Sequence, residues 1–203
     1  MKVMLENEAE KFLHDNGLDV VQHNLVNGFD AGLVYARKIG FPVVLKTAGR
    51  LHKSDSGGVF ADIRSEPELR AAYNKLSKLS RAVVVQKYVH GEELLIGIKK
   101  DAVFGQVLVF GAGGIYTEIM KDVSFRICPV KLNDVRSMIK ETNVYSILSG
   151  YRNRKFCISK IEQVLIKLSN IAMRYNTITE LDINPIMVNE KQAVIVDARI
   201  VFS

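Results

Sequence analysis

Two short polar residues near the C-terminus stand where a cation could be held. Residues 179–203, TELDINPIMVNEKQAVIVDARIVFS, read as a β-hairpin: an apolar run, a polar turn at residues 189–192, and a second apolar run. If Val188 faces Ala193 across the turn, the register places Asn184 opposite Asp197 and Asp182 opposite Arg199. Side chains alternate along a strand. This predicts one apolar face of Ile183, Pro185, Met187, Val194, Val196, Ala198 and Ile200, and one polar face of Glu180, Asp182, Asn184, Asp197 and Arg199. Directly opposed residues have Cβ atoms about 4.5–5.5 Å apart, so an amide oxygen and a carboxylate there could share an ion. Magnesium suits such a pair, because it takes oxygens and usually only one or two protein carboxylates, leaving water and phosphate to complete its shell. The plain alternative is a surface hairpin in which Asp182 and Arg199 form an ordinary ion pair.

A second group of residues suits phosphate. Residues 41–46, FPVVLK, read as a buried strand ending on Lys46, and the polar loop after it carries His52, Lys53, Ser54 and Asp55 before Gly57 and Gly58. Adjacent glycines let backbone N–H groups come close to an anion. The loop is not a Walker loop, since GxxxxGK[ST] is absent, and a strand-end lysine can equally be a solvated tip. Further on, Gln86, Lys87 and Tyr88 end a strand and lead into a His90-Gly91 turn. Gly111, Gly113 and Gly114 form a second glycine-rich loop, predicted to be flexible. Glu118, Lys121, Asp122 and Arg126 make a polar cluster beside it, which also reads as a solvated strand edge. His14, His23 and His90 lack such surroundings and read as surface or turn residues.

The elements that would position these groups follow from periodicity. Helices are predicted over residues 6–16, 30–38, 66–79, 132–142 and 159–175, each with apolar residues at helical spacing. Strands are predicted over 19–25, 41–46, 59–63, 81–89, 92–99 and 106–110, and the short connections among the later ones require antiparallel pairing. The first three elements read as a small αβα opening unit. The chain divides naturally into a front part, about 1–80, and a back part, about 81–203.

Composition narrows the function classes. The 203 residues suffice for one large domain or two small subdomains with a real core. A formal charge of +6 favours phosphate-bearing ligands. There is no Arg-rich arm, aromatics are sparse and Trp is absent, which argues against nucleic acid. Cys128 and Cys157 form neither a disulfide framework nor a metal spacing, so a reducing compartment is expected. The N-terminus lacks a signal-peptide apolar core and no run reaches membrane-spanning length, so a cytoplasmic protein with no membrane partner is expected.

Taken in order, PVVLK, LHKSDSGGV, VVVQKYVHGEELLIG, VFGAGGIYTEIMKDVSFR, IKETNVYSILSGYR and ELDINPIMV…VIVDARI resemble the β subunit, or ATP-grasp part, of the NDP-forming acyl-CoA synthetases, over nearly the whole chain. The ADP-forming acetyl-CoA synthetase (acetate–CoA ligase) is the best-known type. The resemblance implies an α+β, ATP-grasp fold of two α/β subdomains with nucleotide held between them. It implies Lys46 on nucleotide phosphate, beside the loop whose Gly57 and Gly58 already read as phosphate-binding from their own pattern. It implies Gln86, Lys87, Tyr88 and Val89 at the adenine through backbone groups, Glu93 on the ribose hydroxyls, and Asn184 and Asp197 as Mg²⁺ ligands. The hairpin register brings those last two face to face independently. Asp182 would stand nearby as a partner of Arg199 or of an outer water. His52 would be the catalytic histidine that carries a phosphoryl group to the nucleotide, since neutral imidazole is nucleophilic near pH 7; a histidine that only orients the Gly-Gly turn is the alternative.

The activity so implied is acyl-CoA + ADP + phosphate ⇌ carboxylic acid + CoA + ATP through phosphohistidine. An α subunit would supply the CoA-binding domain and the first phosphohistidine, making a hetero-oligomer. Two other classes fit an ATP-grasp chain: a nucleotide-sensing module of a protein acetyltransferase, against which the intact Lys46, His52, Asn184 and Asp197 argue, and a carboxylate ligase using a free acyl phosphate, in which His52 would be idle. Asn153, where the family often has glycine, and the proline-poor segment GLDVVQHN are departures that bear on substrate or partner contacts.

Overall fold

A computed structural model describes residues 2–48, 57–114, 122–151 and 154–203. The chain forms two compact units, one of residues 21–89 and one of residues 1–20 with 90–203. The break expected near residue 80 thus falls between Val89 and His90, and the first 20 residues belong with the back unit. The reason is β1 (Lys2–Met4), which pairs antiparallel with β11 (Ala198–Phe202) at the other end of the chain. Helix α1 (Glu6–Asp15) follows it, burying Ala9 and Leu13 in the back core. The αβα opening unit expected from the sequence does not form, because α1 and the next two elements belong to different units.

The front unit is a four-stranded antiparallel sheet in the order β2 (His23–Val26), β5 (Val83–Lys87), β3 (Val43–Thr47), β4 (Val59–Ile63). Helices α2 (Phe29–Ile39) and α3 (Glu66–Leu76) supply the rest of its core. Helix α3 begins where the sequence signals it: Ser65 caps the Glu68 N–H and Pro67 sits in the first turn, where its missing N–H costs nothing. Strand alternation sorts the sheet. Val43, Leu45, Val83 and Val85 enter the core with Leu69, Ala72 and Leu76, while Val44, Lys46, Val84 and Gln86 take the other face.

The back unit is a seven-stranded antiparallel sheet. The order is β1-β11-β9-β6-β7-β8, with β10 (Ala193–Ile195) also paired to β9 (Ile178–Val188). Here β6 spans Glu92–Asp101, β7 Gly105–Ala112 and β8 Val123–Ile127. Leu94, Ile96, Ile98, Leu108 and Phe110 are fully or almost fully buried beneath α1, α4 (Leu132–Lys140) and α6 (Ile158–Arg174). A short helix, α5 (Tyr145–Leu148), links α4 to α6. No helix among the described residues is long and apolar enough to cross a membrane.

The hairpin register is the expected one: Val188 pairs with Ala193 and Asp182 with Arg199. Its single apolar face is not. Leu181 and Ile183 are buried, but beyond them Ile186 and Val188 face the core, and Pro185 and Met187 are only half-buried. The parity changes at a bulge. Leu94 of β6 pairs with Ile186 and Ile96 with Ile183, so Asn184 and Pro185 together oppose one residue. Pro185 has no N–H to give a ladder, and bulges are where a sheet interior admits proline. The partner strand slips in step, buried at Ala193, Ile195, Ala198 and Ile200, with Val196 and Asp197 filling the break between β10 and β11.

Candidate functional site

The kink is where the back unit gathers its polar groups. Asn184 N–H donates to the Asp197 carbonyl at 3.3 Å, which keeps the two residues opposite each other through the irregularity. Both side chains are half-buried. Beside them, the Asp182 carboxyl is pushed above its ordinary range by burial and by the charges of Glu180 and Asp197, against the pull of Arg199. The Arg199 guanidinium lies 3.5 Å from Glu180, so the expected Asp182–Arg199 ion pair is replaced by an Arg199–Glu180 one. A carboxylate opposite an amide oxygen makes a small donor set that suits a hard cation. Among the described residues no three His, Cys, Asp or Glu side chains gather as a metal group. A magnesium ion here would therefore rest on the Asn184 oxygen and the Asp197 carboxylate, which fits its habit of keeping water and phosphate in its shell.

Glu93, the second residue of β6, stands opposite Met187 of β9. Its carboxyl is accessible but lifted above the ordinary glutamate value by partial desolvation and then by Glu92. The Gly113 N–H donates to the Glu93 carbonyl at 2.9 Å, and the Gly114 N–H to Asn184 Oδ1 at 3.3 Å. The structure thus brings together Glu93, Asn184 and Asp197 of the residues singled out in the sequence, and adds Gly113 and Gly114 in packed rather than flexible positions.

In the front unit, Lys46 is only 4% exposed, on the sheet face away from the core, with Gln86 as its diagonal neighbour on β5. It is not a solvated tip. Gly57 has φ +67°, and Gly58 is buried with its carbonyl accepting the Thr47 N–H at 2.9 Å, so both anchor the loop's return onto β3. His52 lies outside the described residues, as do Lys53, Ser54 and Asp55. Lys87 is engaged structurally: its ammonium donates to the Gly40 carbonyl at 2.7 Å. The N–H groups of Lys87 and Tyr88 bind the carbonyls of Gln22 and Pro42. Those two N–H groups are thus already taken by the front unit's own backbone.

The polar cluster divides similarly. Asp122 accepts the N–H groups of Asn143 and Val144 at 2.7 and 2.9 Å, holding the turn between α4 and α5. Arg126 pairs with Glu141. Glu118 and Lys121 lie outside the described residues. Nothing local to Asp122 signals its role, since its partners are more than 20 residues away.

Two antiparallel α/β units, one presenting a buried strand lysine and the other an acid–amide pair on a hairpin, define an ATP-grasp type of protein. The chain belongs to the ATP-grasp domain family, whose pattern matches residues 1–202. Its relatives include the acetate–CoA ligase [ADP-forming] II subunit beta of Pyrococcus furiosus, 37% identical over 98% of this chain and 91% of that protein. The acetate–CoA ligase [ADP-forming] II of Archaeoglobus fulgidus is also 37% identical over 98% of this chain, which spans only 30% of that longer protein. Among solved structures, the Ca. Korarchaeum cryptofilum dinucleotide forming acetyl-coenzyme A synthetase 1 superposes with a TM-score of 0.92 at 37% identity, over 100% of this chain and 94% of that one. The same synthetase in complex with coenzyme A and Mg-AMPPCP, its phosphohistidine segment pointing towards the nucleotide binding site, gives 0.87 at 38% identity, over 100% and 93%.

Proposed function

We propose that this chain is the nucleotide-binding β subunit of a cytoplasmic ADP-forming acyl-CoA ligase, acetate–CoA ligase being the reading its relatives favour. The reaction is acyl-CoA + ADP + phosphate ⇌ carboxylic acid + CoA + ATP. The observation that carries the reading is the Asn184–Asp197 pair held opposite each other at the hairpin kink, tied through Gly113 and Gly114 to the accessible Glu93. Lys46 and the backbone around Gly57 and Gly58 would hold phosphate oxygens, Glu93 would accept hydrogen bonds from the ribose hydroxyls, and the segment 86–89 would receive adenine. When bound, Mg²⁺ would neutralise phosphate charge at Asn184 and Asp197.

Catalysis is then mainly positioning and charge neutralisation. His52 would take the phosphoryl group from a histidine of a partner α subunit, which also carries the CoA-binding domain. A β-phosphate oxygen of ADP would attack that phosphorus as the P–N bond breaks, and the imidazole, which keeps a proton on its other ring nitrogen, would leave neutral. The longer relatives, of which this chain spans about a third, support a partner that can equally be joined covalently. The test is His52→Ala in the reconstituted complex, supplied with acyl-CoA, ADP, Mg²⁺ and radiolabelled phosphate. The label should stall on the α subunit with no labelled ATP. Labelled ATP at the wild-type rate would show that His52 carries nothing.

A further inference from the structure

The glycine pair after β7 is packed on both sides. A Cβ at Gly113 would lie 2.8 Å from backbone atoms of Glu93 and Leu94, which belong to a paired strand and cannot give way. Its N–H is tied to the Glu93 carbonyl. Gly114 follows with φ +63°, a conformation L side chains rarely adopt, and its N–H is tied to Asn184 Oδ1. Held by those two bonds, Gly114 turns its missing side chain toward one neighbour: a Cβ there would overlap Glu93 Oε2. The Glu93 carboxylate occupies the volume that any other residue at position 114 would fill.

We propose that Gly114 is a positioning residue for sugar recognition: by lacking a side chain, and by being pinned to Asn184, it gives the Glu93 carboxylate the place from which it receives the nucleotide's ribose hydroxyls. This rests on the nucleotide reading above. Gly114→Ala should therefore change the preference between sugars, a readout that a loss of phosphate or metal contacts alone would not move. Glu93 is the flexible member of the clash, so it is the group that moves.

Isothermal titration of the chain with Mg·ADP and Mg·2′-deoxy-ADP reads this directly. A hydroxyl bonded to a carboxylate should give wild-type protein a preference for ADP of about tenfold or more. Gly114→Ala and Glu93→Ala should each collapse that preference, and the double variant should lose nothing further. Gly114→Ala with the wild-type preference, or losses that multiply in the double variant, would overturn the proposal. Wild-type protein that binds both nucleotides alike would overturn the sugar role of Glu93, and with it this proposal; wild-type protein that binds neither would overturn the nucleotide reading itself. Thermal melting guards against a variant that fails to fold. Glu93→Ala vacates the contested volume, so Gly114→Ala should lower Tm less in that background than in wild type. Equal drops would contradict the packing argument.

Discussion

Lys46 and Lys87 stand on neighbouring strands of the front sheet, β3 and β5. Lys87 spends its charge on the carbonyls of Gly40 and Phe41, so Lys87→Met should lower stability by roughly 1–3 kcal/mol, the scale of a hydrogen bond to a charged group. The folded fraction should keep its affinity for Mg·ADP; denaturant melts beside calorimetry separate the two effects. Lys46→Met should do the reverse to affinity, weakening Mg·ADP binding by about tenfold or more. The acid–amide pair gives a second residue-scale test. Asp197→Asn and Asn184→Ala should each weaken Mg²⁺-dependent nucleotide binding by about tenfold; Tm should stay near wild type in Asp197→Asn, whose side chain is half-buried and outside the core cluster, and fall slightly in Asn184→Ala, which also loses the acceptor of the Gly114 N–H. Unchanged affinity at unchanged Tm would remove the metal from this kink. The pairing of Asn184 with Asp197 was legible because a short turn fixes register. The duties of Lys87 and Asp122 were not, because their partners are remote in sequence and no periodicity marks them.

Elements were legible where pattern and environment agree. Helices α3 and α6 bury the apolar stripes their spacing predicts, to within a few residues at the ends. Strand β8 is the opposite case. Phe125 and Ile127 are exposed while Ser124 is buried, so VSFRI reads as a polar edge and not as a strand. What holds it is polar: Ser124 and Arg126 both reach Glu141, at the end of α4. Arg126 holds the Glu141 carboxyl below its ordinary value, helped by Ser124 and Ser137. A carboxylate lowered in the folded state stabilises it above its unfolded pKa and loses that contribution as pH falls through the folded value. Glu141→Gln should thus cost more stability at pH 7 than in acid below both values, the difference kept modest by solvent screening. Equal costs at both pH values would show that the Arg126 pair contributes nothing. On the buried side of the same sheet, Phe110→Ala should cost about 3–5 kcal/mol, because Phe110 is fully enclosed and a cavity would remain.

At the scale of the whole molecule, the division at Val89–His90 falls at the end of the segment proposed to receive adenine. The place of the N-terminus is not legible locally, because β1 is three residues long and its partner strand lies at the far end of the chain; a strand so short, paired over nearly 200 residues, leaves no local signal. The proposed role belongs to this scale too: as the nucleotide half of an acyl-CoA ligase, the chain would work with a CoA-binding partner, whether separate or joined covalently as in the longer relatives. Its most direct test is ATP formation from acetyl-CoA, ADP, phosphate and Mg²⁺, measured with the purified chain alone and after addition of an α subunit of the ADP-forming acetate–CoA ligase type. The account predicts Mg·ADP binding but no ATP from the chain alone, and sustained ATP formation from the pair. Turnover by the chain alone, or a pair that binds Mg·ADP yet forms no ATP, would contradict it.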